Sequence, residues 1–371
     1  MSSLGQGLWR RMTAPEPGPC WLEALRAGAA AASGLYAAGV WLNNTAFDLG
    51  LRAMRRLPAP VIGVGNLEVG GTGKTPLVLE VVASLERLGL PAGVISRGYG
   101  RRGHGEVVWV SEGSEVMTEA ARAGDEPLLL ARRLQVPVAV GADRYAVGRA
   151  LLERCGPRVL VADDLFQHRA LHRDLNLLCL DAADPLASGR LLPRGRLREP
   201  AGALARADAV VLTRAQDPEQ VERARHLLAW RLEERPLLAC RYYVRELVDR
   251  QGQVVDRARA GGLAVAGFCG LARPESFRAS LEGLGLKLAL FQVFADHHRF
   301  RPAEIRELWQ RARRAGAWAL VCSEKDAMRL PAGLEAEAAI LYTRLCLEFW
   351  GGHAMLDDLL RRALAGWGGA R

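Results

Sequence analysis

The segment Gly65-Asn66-Leu67-Glu68-Val69-Gly70-Gly71-Thr72-Gly73-Lys74-Thr75-Pro76 holds the densest chemistry in the chain. Glycines in such a turn let backbone N–H groups face phosphate oxygens, and a helix opening behind them adds a favourable dipole. Lys74 would neutralise β- and γ-phosphate charge, and Thr75 would ligate Mg²⁺. Val69, Gly70, Gly71, Thr72, Gly73, Lys74, Thr75 and Pro76 are therefore the candidate cradle for ATP. The strict pattern G-x-x-x-x-G-K-[ST] fails at one position, where Glu68 replaces the first glycine. A glycine-rich strand-to-helix turn without a ligand is the bland alternative.

Phosphoryl transfer also needs carboxylates for a metal and for the nucleophile. Asp163-Asp164 directly follows a strand pattern, at the edge where open α/β sheets bind ligands. Adjacent acids repel unless a cation joins them, which weighs against a purely structural role. Gly124-Asp125-Glu126-Pro127 precedes a helix expected to begin at Pro127, and on spacing alone helix capping is the favoured role for Asp125. In Asp296-His297-His298 an acid adjoins imidazole, the arrangement that orients a general base, although exposed loop histidines are also common. His168 and His172 have i, i+4 spacing, but no neighbouring constellation completes a zinc site. Two arginine-rich loops, Ser96 to Arg102 with Arg97 at its start and Arg194 to Pro200 with Arg198 inside it, suit phosphate recognition by forked guanidinium groups. Each could equally be a solvated basic loop.

The elements that must position these groups follow from apolar patterning. Runs at 61–64, 92–95, 138–140, 159–161, 175–180 and 209–212 read as buried strands. Thr75 to Arg87 reads as a helix, with Val78, Val81, Val82 and Leu85 on one face. Alternating strands and helices imply an α/β fold with a mostly parallel, P-loop NTPase-like sheet. Runs at 263–268, 286–291, 317–321 and 339–341 form a second, smaller α/β unit, joined by an extended stretch from Pro236 to Val255. The expected division is residues 1–57 as an N-terminal membrane-associated helical segment, 58–240 as the P-loop domain and 241–371 as the smaller domain.

A chain of 371 residues, half of them hydrophobic, can bury a large core, which excludes wholesale disorder. A net charge of +9 points to an anionic partner. Of 50 basic residues only Lys74, Lys287 and Lys325 are lysines, a hint that a point charge on a flexible stem is needed there. Seven cysteines without a Cys-x-x-Cys spacing exclude a disulfide scaffold and a zinc ribbon. Ala27 to Phe47 carries no charge and is flanked by Arg10, Arg11, Arg26, Arg52, Arg55 and Arg56. Its alanine, glycine and asparagine content gives a weak drive to insert, so it reads as a helix lying in or on a membrane surface, with its arginines near anionic headgroups. The alternative is an ordinary helix packed on the domain. Nothing resembling a nucleic-acid-binding motif accompanies the charge.

In this order, Val64-Gly65-Asn66, Gly70 to Pro76, Ser96-Arg97-Gly98-Tyr99-Gly100, Gly124-Asp125-Glu126-Pro127, Asp163-Asp164-Leu165-Phe166-Gln167-His168-Arg169, Arg173-Asp174-Leu175, Leu197-Arg198-Glu199-Pro200, Asp296-His297-His298 and Ser323-Glu324-Lys325-Asp326-Ala327 resemble the bacterial tetraacyldisaccharide 4'-kinases of lipid A synthesis. The match runs from about Val61 to Leu330. The resemblance implies a kinase at the cytoplasmic face of the bacterial inner membrane, peripheral or monotopic, with no obligate protein partner. It would move the γ-phosphoryl group of ATP to the 4'-hydroxyl of an acylated disaccharide 1-phosphate, giving lipid IVA. It implies Asp125 as catalytic base with help from His297, in place of capping. Lys74 and Asp164 join them, Glu126 and Asp163 join Thr75 at Mg²⁺, and Arg97 and Arg198 face the nucleotide, with Glu199 lining the site. Two departures stand out. Leu165 occupies a usual glycine position and would strain a turn needing positive φ. Pro193-Arg194-Gly195-Arg196 is more basic than the family's loop. The runner-up reading is a membrane-surface P-loop ATPase switch of the partitioning or metal-insertion type, which would not need Asp296-His297-His298.

Overall fold

β1 (Val61–Asn66) is buried at every residue, as a parallel strand covered on both faces must be. Ile62 and Val64 pack with Leu77, Val78, Val81 and Leu85 of the helix Lys74–Arg87. Val61, on the opposite face, packs with Leu57, Val147 and Leu151. The computed structural model describes residues 3–13, 17–99, 101, 107–232, 234–255, 263–334 and 338–367. Gly100 and Arg102 of the first arginine-rich loop lie outside the described residues, as does the side chain of Arg10.

The strands are β2 (Ala92–Ser96), β3 (Val108–Glu112), β4 (Pro137–Val140), β5 (Val159–Asp163), β6 (Leu175–Asp181), β7 (Ala209–Thr213), β8 (Leu237–Asp249), β9 (Val254–Val255), β10 (Ala264–Cys269), β11 (Lys287–Val293), β12 (Ala319–Ser323) and β13 (Ile340–Phe349). Together with β1 they form one 13-stranded sheet of order β11-β10-β12-β13-β8-β7-β6-β1-β5-β2-β4-β3, with β9 paired to β8. Among the described strands, antiparallel pairing joins β3 with β4, and β8 with β9 and β13. The stretch expected as an extended link is thus β8 itself. Leu237 to Ala239 pair parallel with β7, and Cys240 to Asp249 pair antiparallel with β13, so one strand belongs to both halves of the sheet.

Near the N-terminus a helix spans Cys20–Asp48, 29 residues. Its inner face is tied down by polar contacts. Ser33 Oγ donates to Leu191 O at 3.0 Å, Tyr36 OH to Arg198 O at 2.8 Å, and Asn44 Nδ2 to Glu199 Oε2 at 2.9 Å. Arg169 closes the far end on Asp48 Oδ1 at 2.5 Å. The outer face leaves Leu35 79%, Trp41 63% and Leu42 61% exposed. Among the described residues, no helix is long and apolar enough to cross a membrane. The arginines expected near headgroups are largely engaged within the protein. Arg26 is buried against Glu23 at 2.6 Å, Arg55 pairs with Asp143 at 2.6 Å, and Arg56 with Asp174 at 2.7 Å. Arg194 of the basic loop points its guanidinium at Met12 O, 2.6 Å away, bracing the N-terminal segments.

Candidate active site

The phosphate loop is built at the carboxyl end of β1. Asn66, fully buried, donates from Nδ2 to Glu68 O and to Thr72 Oγ1, both at 2.8 Å, and so folds the loop back on itself. Gly73 adopts φ 86°, and a Cβ there would collide with the Tyr242 hydroxyl, so glycine is required on both counts. Gly65 is needed for a different reason: an added Cβ would lie 2.7 Å from the Phe166 backbone nitrogen. That close approach brings the Asp163-Asp164 turn against the loop. From the other side, Val69 N donates to Arg196 O at 2.9 Å and Arg198 N to Leu67 O at 2.7 Å, which delivers Arg198 to the same edge.

Lys74 opens the helix, and its Nζ lies 3.4 Å from Asp164 Oδ1. Arg198 Nη1 reaches both oxygens of Asp164 at 3.2 Å. Burial would raise the Asp164 carboxyl, but the Lys74 and Arg198 charges outweigh it and hold it below the usual value. The adjacent pair is therefore split. Asp163 is 1% exposed and takes Ser96 Oγ, at 3.1 Å, on Oδ2. Among the described residues its buried Oδ1 has no hydrogen-bond partner. Burial, with the charges of Glu126 and Asp164 adding to it, pushes Asp163 up to about 7. Glu126 accepts from Lys325 Nζ at 2.9 Å. Burial would raise Glu126 too; the Lys325 and Lys74 cations overcome it.

Asp125 is the first residue of the helix Asp125–Arg133, with Gly124 at the N-cap and no side-chain capping hydrogen bond. Asp125 therefore stands one residue past the capping position that local spacing favoured for it, and the helix starts before Pro127. Its Oδ2 instead accepts from Arg329 Nε at 2.7 Å and meets His297 Nδ1 at 3.4 Å. Burial would raise Asp125, but the His297 hydrogen bond and the Arg329 charge bring it below the ordinary carboxylate value. His298 faces away from this pair. It stacks on Phe294, centroids 4.9 Å apart, and contacts Glu304 Oε2 at 3.1 Å.

Lys74, Asp163, Asp164, Glu126, Asp125, His297 and Arg198 are thus linked along one sheet edge, and Thr75 sits half-buried beside Lys74. Arg97 lies exposed at the end of β2, where its charge acts on the buried Arg144. Glu199 does not line this edge. It is 3% exposed and bonded to Arg206 at 2.8 Å and to Asn44, beneath the N-terminal helix. Leu165 is fully buried and causes no strain, because the left-handed residue of the turn is Asp164, φ 52°. Aspartate tolerates that region better than most residues. His168 is held near 4 by burial and by Arg144, surroundings that repel a cation.

Residues missed by sequence reasoning come mainly from the C-terminal half. Lys325 carried two signals, being among the three lysines and inside the Ser323 to Ala327 segment, but neither named its partner; Arg329 carried none among so many arginines. Thr213 Oγ1, donating to Thr72 O at 2.8 Å, and Arg214, on Gly71 O and 2.8 Å from Asp181, brace the loop from β7.

The donor set can be tested against Mg²⁺. Among the described residues no group of three His, Cys, Asp or Glu side chains could hold a metal alone. That suits Mg²⁺, which is usually bound by one or two carboxylates, waters and substrate phosphates. The unpartnered Asp163 oxygen and its raised pKa mark a buried acid lacking a cation, so the residues fit.

A family model described as Tetraacyldisaccharide-1-P 4'-kinase matches residues 26–365. The Tetraacyldisaccharide 4'-kinase of Anaeromyxobacter sp. (strain K) is 41% identical over 375 residues, covering 98% of this chain and 96% of that protein. The Geobacter metallireducens protein of the same name is 42% identical over 304 residues, 80% and 86% of the two chains. The crystal structure of LpxK from Aquifex aeolicus in complex with ATP matches with a TM-score of 0.75 at 33% identity, covering 91% of this chain and 99% of that one.

Proposed function

This chain belongs to the tetraacyldisaccharide-1-P 4'-kinase family, and from that premise we propose how its residues carry the reaction. It is an ATP-dependent kinase that phosphorylates the 4'-hydroxyl of a tetraacyldisaccharide 1-phosphate in lipid A biosynthesis. The 4'-oxygen forms a bond to the γ-phosphorus as the bond to ADP breaks. The hydroxyl proton passes to Asp125.

The loop amides and Lys74 hold the triphosphate and offset the charge that grows on the transferred group. Asp164 keeps Lys74 over the loop, and Arg198 keeps Asp164 in place. Thr75, Asp163 and Glu126 would hold Mg²⁺, which when bound supplies charge neutralisation between the phosphates. Asp163 is the leading carboxylate, since Asp164 is engaged by Lys74 and Arg198 and Glu126 by Lys325. Asp125, kept ionised by Arg329 and His297, orients the hydroxyl and accepts its proton late, as befits a loose transition state. The single observation behind this reading is the pairing of Asp125 with His297 next to Glu126, whose carboxyl feels the charges of the loop's Lys74 and of Asp164, since an ATPase switch with water as acceptor has no need of that pair. Incubation with Mg-ATP and the tetraacyl disaccharide 1-phosphate should add one phosphate at the 4' position by mass spectrometry. Full-rate ATP hydrolysis without the acceptor, and no phospholipid product, would favour the switch.

The acceptor's four acyl chains hold it in a bilayer, so the kinase must work at that surface. The exposed stripe Leu35, Trp41 and Leu42 on the N-terminal helix is the contact we assign to the cytoplasmic face of the inner membrane. Replacing all three by serine is expected to weaken recovery with anionic phospholipid vesicles by at least about tenfold, from the apolar area lost. ATP affinity should not change. Equal pelleting of variant and native protein would remove the helix from the membrane.

A further inference from the structure

Three ion pairs join the helix Asp125–Arg133 to the segment after β12. Arg329 Nε meets Asp125 Oδ2 at 2.7 Å, Lys325 Nζ meets Glu126 Oε1 at 2.9 Å, and Arg133 Nη1 meets Glu324 Oε2 at 2.9 Å. Leu128, Leu129 and Met328 fill the space between them as a buried apolar cluster. The segment from Ser323 to Arg329, which the reaction alone leaves without a task, thus faces Asp125 and Glu126. Lys325 and Arg329 each take one of them.

Arg329 is fixed from behind. Its side chain is 3% exposed, and Nη1 bonds Asp326 Oδ1 at 3.2 Å and Gly270 O at 3.4 Å. Asp326 is fully buried, accepting from Ser323 Oγ at 2.5 Å and from Gly270 N at 3.1 Å. A planar fork held on one carboxylate has little freedom to move relative to the other. On Asp125, both Arg329 and His297 approach Oδ2. Among the described residues Oδ1 is the oxygen that neither side chain engages.

We infer that Arg329 is a positioning residue: anchored on Asp326, it fixes the rotation of the Asp125 carboxylate so that Oδ1 is presented to the acceptor hydroxyl. This rests on the reading of Asp125 as the base. Lysine cannot replace the fork, because a single ammonium satisfies one carboxylate with direction and the other only with charge. Lys325–Glu126 and Arg133–Glu324 remain to hold the two halves together when Arg329 is lost.

The test uses Arg329→Lys and the double variant Arg329→Met with Asp326→Asn, which neutralises the buried carboxylate behind Arg329 and leaves Asp125 to His297. Misplacing the base by a fraction of its reach should lower kcat by about 10²-fold in the double variant, with KM for ATP and acceptor little changed. Arg329→Lys should fall between that and native protein. A thermal melt near native, beside the lowered kcat, separates positioning from folding. Native kcat in the folded double variant overturns the inference, as does a loss matched by equal loss of ATP binding. If the double variant does not fold, Arg329→Lys decides: native kcat there overturns it. Asp125→Asn in the same assay distinguishes the two failures. An active Asp125→Asn enzyme removes the base itself, whereas an inactive one beside a fully active Arg329 variant removes only Arg329.

Discussion

Lys74→Ala is expected to lower kcat by about 10³-fold or more, the scale at which a single preorganised charge acts on phosphoryl transfer. Two features make the loss large. The Lys74 side chain is only 10% exposed, so its charge works in a poorly screened site. It is also pre-aimed, since Asp164 holds Nζ and Arg198 holds Asp164. Removing the ammonium leaves Asp164 to Arg198 alone, so the variant loses both a phosphate cation and the order of its neighbour. Lys74→Arg should recover little, because a wider fork cannot occupy the point the ammonium fills beside Gly73. Steady-state kinetics with saturating acceptor, alongside nucleotide titration, would check this. Near-native kcat in Lys74→Ala would detach the loop from the chemistry.

Much of this edge was legible because it is local. β1 is an unbroken apolar run, the loop after it announces its glycines, and Asp163-Asp164 sits at the end of another buried run, β5. The tie between them also left a trace, since Gly65 exists to admit the Phe166 backbone. What stayed hidden depends on pairing across long sequence separations. β8 carries Arg241 and Glu246 in its middle, so it read as an extended link without strand partners. In the sheet those charges are answered by β13, Arg241 with Glu348 at 2.7 Å and Glu246 with Arg344 at 2.6 Å. The edge strand β3 was missed for the related reason that its pattern is only half-buried. Leu165 looked like a strained departure because sequence cannot say which residue of a turn takes positive φ. The strain falls on Asp164, one residue earlier.

Asp125 is the sharpest case of local and distant signals disagreeing, and it sets the second large effect. An aspartate before Glu-Pro at a helix start fits capping, and only partners from loops more than 170 residues later show otherwise. Asp125→Asn is expected to cut kcat by about 10²–10⁴-fold, the range for loss of a positioned general base. The amide keeps the size and polarity of the side chain but cannot accept the hydroxyl proton. It also leaves Arg329 and His297 facing a neutral group, so the acceptor oxygen loses its orientation as well. Nucleotide affinity should stay within about twofold, because the residue touches neither the loop nor Lys74, and the loss should therefore appear in kcat rather than in ATP binding. A capping aspartate would behave in the opposite way: asparagine caps nearly as well, so kcat would hold and stability would barely move. The ratio of the kcat effect to the melting shift in this one substitution therefore separates the two roles.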